Sequence, residues 1–303
     1  MDSSLTQIRR IQLKQLEILK VFQDICRKHN LRYFAIGGTC LGAVRHKGFI
    51  PWDDDVDVAM PYEDYVKFLE LSKTELPECY SIFNPMNSKH CVFYCFYKVQ
   101  DNRTAMIEPD SKNHPDQYTG IFIDIFALQG FPDGRLQQKL LKFISASCRN
   151  LNAALRRSPF EPPTTNSRKR WFFVLPILLL LSPLKLILPY NYFAVLREKF
   201  ISKYKFGSCK QIMFPWRSNN HNKFGWYSNI FPYEDFSETI DLPFEDITIA
   251  VPKGYDRYLT MEFGDYMTPP EGKAKDAHHS DGGIIDFSRP YTYYKNHPEA
   301  VKC

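Results

Sequence analysis

Between Gly37 and Val58 the chain sets a glycine pair, a short apolar stretch and four aspartates in one compact unit, and the spacing of the last two aspartates most constrains its fold. Side chains alternate along a strand, so Asp55 and Asp57 project from one face while Val56 and Val58 project from the other. Val56, Val58, Ala59 and Met60 predict that this strand is buried, which argues against the plainer reading, a solvated acidic turn. Two carboxylates confined to one small volume repel unless a cation or strong donors lie between them. Oxygen ligands of this kind suit Mg²⁺ or Mn²⁺, which keep some waters and bridge to substrate phosphates. Asp53 and Asp54 follow Pro51 and Trp52 and are expected to shape the turn or to orient the ligands from behind.

The glycines fit the same picture. Tyr33 to Ile36 predicts a strand, Gly37-Gly38 the turn after it, and Thr39 to Val44 a short helix whose N-terminal N–H groups can receive a phosphate. A glycine pair alone marks no more than a turn. Its position ahead of a helix and an Asp-x-Asp strand gives it chemical meaning.

This run resembles the LicD family, within the nucleotidyltransferase superfamily that also includes fukutin and fukutin-related protein. The superfamily is marked by a Gly-Gly or Gly-Ser turn, an Asp-x-Asp strand and a third carboxylate on a later strand. Here the turn is Gly37 and Gly38 and the pair is Asp55 and Asp57, and the linking Leu41 to Asp53 carries the part most particular to LicD. The resemblance implies transfer of a phospho-alcohol from a nucleotide-diphosphate donor to a glycan. A second block, Phe263-Gly264-Asp265-Tyr266 with Pro269-Pro270, resembles the C-terminal aromatic-Gly-Asp-Tyr segment of LicD proteins, whereas the middle, about Arg135 to Phe231, resembles nothing named.

The rest of the chain is read from its patterns. Ile8, Ile11, Ile18, Leu19, Val21, Phe22, Ile25 and Cys26 form one stripe at helical spacing, predicting a helix from Leu5 to about Lys28. Pro61 begins a helix bearing Tyr62, Tyr65, Val66, Phe68 and Leu69. Cys91 to Val99 and Thr104 to Ile107 read as paired strands joined at Gln100-Asp101-Asn102. Gly120 to Phe126 reads as a strand apolar on both faces in which Asp124 is the lone charge. A carboxylate buried there costs several kcal/mol, as an order of magnitude, unless paired, protonated or bound to metal. It is either structural, as the partner of a buried arginine or of a backbone turn, or, as the resemblance implies, the third carboxylate, acting as metal ligand, general base or both. Leu136 to Arg157 predicts a helix, Phe244 to Val251 a strand, and Gly254 to Phe263 a helix ended by Gly264.

Arg168-Lys169-Arg170 leads into an apolar run, 171 to 189, broken by Pro176, Pro183 and Lys185. It is too interrupted for the roughly 20 apolar residues of a spanning helix, so it reads as an element on an anionic membrane surface, with a core helical hairpin as the alternative. The net charge of +5 suits phosphate-bearing substrates or such a surface, and no basic tail points to nucleic acid. Eight cysteines contain no Cys-x-x-Cys pair, so zinc is poorly supported, and Cys91 and Cys95 read as buried thiols. Met1 to Arg10 is polar and reads as no secretory leader, which predicts the cytoplasm, peripheral at the inner face of the membrane.

The expected fold is α/β: a mixed, mostly antiparallel nucleotidyltransferase-like sheet flanked by helices. Residues 1–157 form the catalytic core, 158–205 a linker and apolar insertion, and 206–303 the part that completes the domain. Mg²⁺ or Mn²⁺ on Asp55, Asp57 and Asp124 would bridge the donor diphosphate. Gly37, Gly38 and Thr39 would hold its oxygens, and Arg45 or Lys47 the leaving nucleotide, while His278 and His279 could contact its phosphates. LicD relatives use CDP-choline or CDP-ribitol. A quaternary ammonium calls for aromatic faces, and Trp52, with Tyr94, Tyr97, Trp226 and Tyr266, favours choline. The expected partners are CDP-choline, a glycan or lipid-linked glycan acceptor of teichoic acid or lipopolysaccharide type, and an anionic membrane surface. A plain nucleotidyltransferase, a ribitol-phosphate transferase and a non-catalytic Ca²⁺-binding membrane-surface protein remain the rivals.

Overall fold

The computed structural model describes residues 6–88, 96–156, 183, 187–214, 230–269 and 282–301. The N-terminal stripe builds helix α1 (Gln7–Lys28), capped by the Thr6 hydroxyl, which accepts from the Arg9 N–H at 3.2 Å. Strand β1 (Phe34–Ala35) leads into α2 (Gly37–His46), and β2 (Asp57–Pro61) into α3 (Tyr62–Glu75). Strands β3 (Tyr80–Phe83), β4 (Tyr97–Asp101), β5 (Ala105–Ile107) and β6 (Phe122–Phe131) follow, then helices α4 (Arg135–Arg156) and α5 (Tyr192–Ile201). The C-terminal part supplies β7 (Gln211–Met213), β8 (Ile230–Pro232), β9 (Thr239–Phe244), β10 (Ile247–Pro252), α6 (Tyr255–Phe263), β11 (Ile284–Asp286) and α7 (Tyr291–Asn296).

Seven strands form one sheet in the order β1-β2-β6-β4-β3, with β7 on the later half of β6 and β8 beyond it. Of its pairings among the described residues, only β2 with β6 is parallel, so the sheet is mixed and mostly antiparallel. All ten residues of β6 are buried, because neighbours cover both edges and both faces, and its near-continuous apolar sequence is what such a position requires.

The helices distinguish the two faces of the sheet. Phe22 of α1 meets Phe68 of α3 at 4.9 Å between ring centroids, and Tyr65 of α3 meets Tyr97 at 5.6 Å. Both helices therefore cover the face to which Tyr97 points. Lys98 and Asp124 occupy the alternate positions and project from the other face. The main core runs from Ile11 to Tyr266 and includes Phe244, Ile249, Val251 and Tyr258, so the C-terminal part shares one core with the N-terminal helix and sheet.

Three expectations are corrected. Ala105–Ile107 does not form a hairpin with β4 but pairs with Ile284–Asp286. Gln100 and Asp101 belong to β4 rather than to a turn, because buried Asp101 is held by Arg103 at 2.7 Å and approached by Lys14 at 3.9 Å. Phe244 to Val251 is not one strand: Phe244 pairs with Ile247 across a tight turn at Glu245 and Asp246. Glu245 adopts the left-handed region (φ 55°) without being glycine, and two Arg9 nitrogens hold its carboxylate at 3.0 and 2.6 Å. Among the described residues no helix is long and apolar enough to cross a membrane. Most of the apolar run 171–189, together with Cys91, Tyr94, Cys95, Trp226, His278 and His279, lies outside the described residues.

Candidate active site

The parallel register places Asp57 opposite Asp124, on one face of adjacent strands. The backbone around both is pinned. The Asp124 N–H donates to the Val56 carbonyl at 2.8 Å, the Asp57 N–H to the Thr39 hydroxyl at 2.8 Å, and the Ile36 N–H to the Asp57 carbonyl at 3.1 Å. Thr39 is buried, so its hydroxyl acts on the backbone of Asp57.

The strand begins at Asp57, not at Asp55. Residues 53–56 precede it without regular secondary structure, yet burial still alternates: Asp54 and Val56 are buried, whereas Asp53, Asp55 and Asp57 are half-buried. Asp53 thus joins the cluster rather than only shaping the turn. Burial, then the charge of Asp55 and a hydrogen bond to it, hold the Asp53 carboxyl well above the usual carboxylate range.

Helix α2 begins at Gly37, earlier than expected, with φ 54° at that residue. A Cβ there would sit 3.1 Å from Asp57 Oδ2, and one on Gly38 would collide with Asp53 Oδ2. The glycines are therefore what lets the carboxylates lie against the start of the helix. The Gly37 N–H donates to the Tyr258 hydroxyl at 2.8 Å, and the helix's own ladder opens with Cys40 N–H to the Ile36 carbonyl at 3.1 Å. The N–H groups of Gly38 and Thr39 precede that ladder, at the positive end of the helix dipole.

Arg45 and Lys47 are not brought to this end. They lie seven and nine residues beyond Gly38, about 10 and 13 Å along the helix axis. Arg45 donates to the Tyr266 carbonyl at 2.6 Å, and Lys47 is the left-handed C-cap whose carbonyl accepts from the Glu245 N–H. Trp52 meets His46 edge to face at 6.1 Å, near that same C-terminal end. Tyr97 faces the helix-covered side and accepts from the Asn84 amide at 3.0 Å, and the Tyr266 hydroxyl donates to Asp256 at 2.6 Å.

Sequence reasoning missed three residues. Lys98 stands opposite Asp124 in the β4–β6 register, 8% exposed, with Nζ 3.5 Å from Asp124 Oδ1 and 3.2 Å from the centroid of the Phe122 ring. The ion partner of the lone charge on β6 is thus a lysine on the neighbouring strand, where the structural reading expected an arginine or a backbone turn. Gln12 donates to the Ile50 and Asp53 carbonyls at 3.0 and 2.8 Å, and Gln15 to the Asp54 and Phe122 carbonyls at 2.7 and 3.2 Å. These two amides clamp the acidic loop to α1 and β6. Gln15 lies in phase with Ile8, Ile11, Ile18 and Phe22, and a polar residue inside an apolar stripe was the available signal.

The donor set, carboxylates with no sulfur or imidazole, fits a hard cation such as Mg²⁺ or Mn²⁺. Among the described residues no three such side chains are yet drawn together as a finished cation site.

A mixed sheet carrying carboxylates in parallel register, faced by a glycine-initiated helix, defines a nucleotidyltransferase-like domain. Residues 30–131, which span α2, β2 and β6, match the family described as LicD/FKTN/FKRP, nucleotidyltransferase domain. The chain is 28% identical over 286 residues, 92% of this chain and 98% of the relative, to the lipopolysaccharide cholinephosphotransferase LicD of Haemophilus influenzae. Shorter matches reach an uncharacterised protein of Rickettsia typhi, 35% identical over 71 residues (22% of this chain and 23% of that protein). Another, of Rickettsia prowazekii, is 37% identical over 59 residues (20% and 22%).

Proposed function

We propose that this protein transfers phosphocholine from CDP-choline to a hydroxyl of a cell-surface glycan precursor, releasing CMP, with Mg²⁺ or Mn²⁺ as cofactor. The observation that carries the reading is the register of Asp57 against Asp124, with Asp53 and Asp55 alongside at the N-terminus of α2. The Haemophilus relative, aligned over nearly its whole length, supports the choice of phosphocholine and of a glycan acceptor.

Asp55, Asp57 and Asp124 would hold the metal, which when bound supplies charge neutralisation at the diphosphate. The Gly38 and Thr39 N–H groups meet a phosphate oxygen at the helix N-terminus. Asp124 accepts the proton of the acceptor hydroxyl as its oxygen bonds to the choline-bearing phosphorus. The bond from that phosphorus to the CMP oxygen breaks, and CMP departs with the electron pair. Lys98 sets the position of Asp124 and balances its charge.

Incubation with CDP-choline, CDP-ribitol and CTP, each with and without Mg²⁺, tests the reading through the nucleotide products. CMP formed from CDP-choline only when metal is present is the expected result. CMP from CDP-ribitol alone overturns the choice of choline, and pyrophosphate from CTP alone makes the protein a plain nucleotidyltransferase.

A further inference from the structure

Helix α4 has three faces. Leu141, Ser145, Cys148, Asn152 and Leu155 are buried, and Ser145 accepts from Arg197 of α5 at 2.8 Å, which fixes the side turned to the protein. Leu136, Leu140 and Phe143, spaced i, i+4 and i+7, form a second row that is 80%, 48% and 71% exposed. Arg135, Lys139 and Lys142 form the adjoining row with the same spacing. The 22-residue helix contains no aspartate or glutamate.

An exposed apolar row beside a basic row, on a helix whose own sequence has no acidic residue, matches a surface that is apolar inside and anionic at its boundary. We infer that the outward face of α4 docks on an anionic lipid bilayer, with Leu136, Leu140 and Phe143 in the acyl boundary and Arg135, Lys139 and Lys142 at the headgroups. The inference rests on the proposed function only in placing the acceptor there. From Asp124 to Phe131, just ahead of α4, β6 runs about 23 Å. The carboxylates thus stand off from the docking helix, as an acceptor whose reacting hydroxyl belongs to a glycan headgroup requires.

The test is flotation of the full-length protein, without donor, on vesicles of phosphatidylcholine alone and of phosphatidylcholine with phosphatidylglycerol. Wild type should float with the anionic vesicles, less so in high salt, and not with the neutral ones. Lys139→Glu and Lys142→Glu should each weaken partitioning by roughly fivefold or more, the factor that corresponds to about 1 kcal/mol per basic residue at an anionic surface. The triple change Leu136→Ser, Leu140→Ser, Phe143→Ser should abolish flotation with an unchanged melting temperature and unchanged turnover on a soluble acceptor, so failure here is separable from failure of the donor assignment. Undiminished flotation of the triple variant overturns the inference. So does a wild-type dimer that the triple change splits, because a second copy then covers the face. Equal flotation on neutral vesicles likewise overturns it.

Discussion

At the scale of single residues, the site rests on an excess of negative charge in one place. Asp55→Asn and Asp57→Asn exchange an anionic oxygen for a neutral amide of the same shape. Each should lower turnover on the order of 10²-fold or more, while the far-ultraviolet circular dichroism and melting temperature stay near wild type. Near-normal rates in either variant would remove that residue from the metal site. Lys98→Met keeps the length of the side chain and deletes its charge beside buried Asp124. Breaking a buried pair from one side costs about 3 kcal/mol or more, so denaturant unfolding should show a loss of that size. The loss should shrink when Mg²⁺ is added, because a cation bound only to the folded state restores the missing charge. A loss indifferent to Mg²⁺ would separate Asp124 from the metal.

Among the elements, α2 shows what the sequence made legible and what it hid. The short helix around Thr39 to Val44 and the strand through Asp57 were readable, because helical spacing and alternation each leave a local mark, whereas the glycine pair, read as a turn, lies inside the first turn of the helix. The start of β2 and the recruitment of Asp53 were not readable, since they follow from packing against α2 and from clamping by Gln12 and Gln15. The same holds for β5, whose partner lies at Ile284–Asp286, and for the Glu245 turn, which has neither glycine nor asparagine and depends on Arg9. The carboxylate on β6 could be singled out as a lone charge, but its cation Lys98 came from a register that no local pattern encodes. The backbone of Gly37 gives the corresponding prediction. Gly37→Ala forces an L side chain into φ 54°, which costs about 1–2 kcal/mol, and sets a methyl against Asp57 Oδ2. Denaturant unfolding should show that loss, and turnover should fall further than the unfolded fraction explains. A variant with full stability and full turnover would show that Asp57 does not depend on this turn.

For the molecule as a whole, α1 ties the ends of the chain together. Its Arg9 holds Glu245, its Lys20 meets Asp246 at 2.6 Å, and its Gln23 donates to the Thr248 carbonyl at 2.9 Å, all on the β9–β10 hairpin. The same helix clamps the acidic loop through Gln12 and Gln15, so the hairpin and the candidate site share one support. The Arg9 hydrogen bond is the largest influence on Glu245 and holds its carboxyl below the usual range. A carboxylate with a depressed folded pKa contributes stability that is fully present above its unfolded pKa and disappears as the pH falls through the folded one. The pair is partly exposed, with side-chain exposures of 34% and 19%, so water screens it and about 1 kcal/mol is the appropriate scale. Glu245→Gln should therefore melt lower than wild type near neutral pH, and the two curves should converge as the pH drops below the ordinary glutamate range. Melting temperatures measured from pH 3 to pH 8 check this. A gap that persists unchanged at the acid end would mean that Glu245 supports the turn through the shape of its hydrogen bonds to Arg9 and the Phe49 N–H, not through its charge.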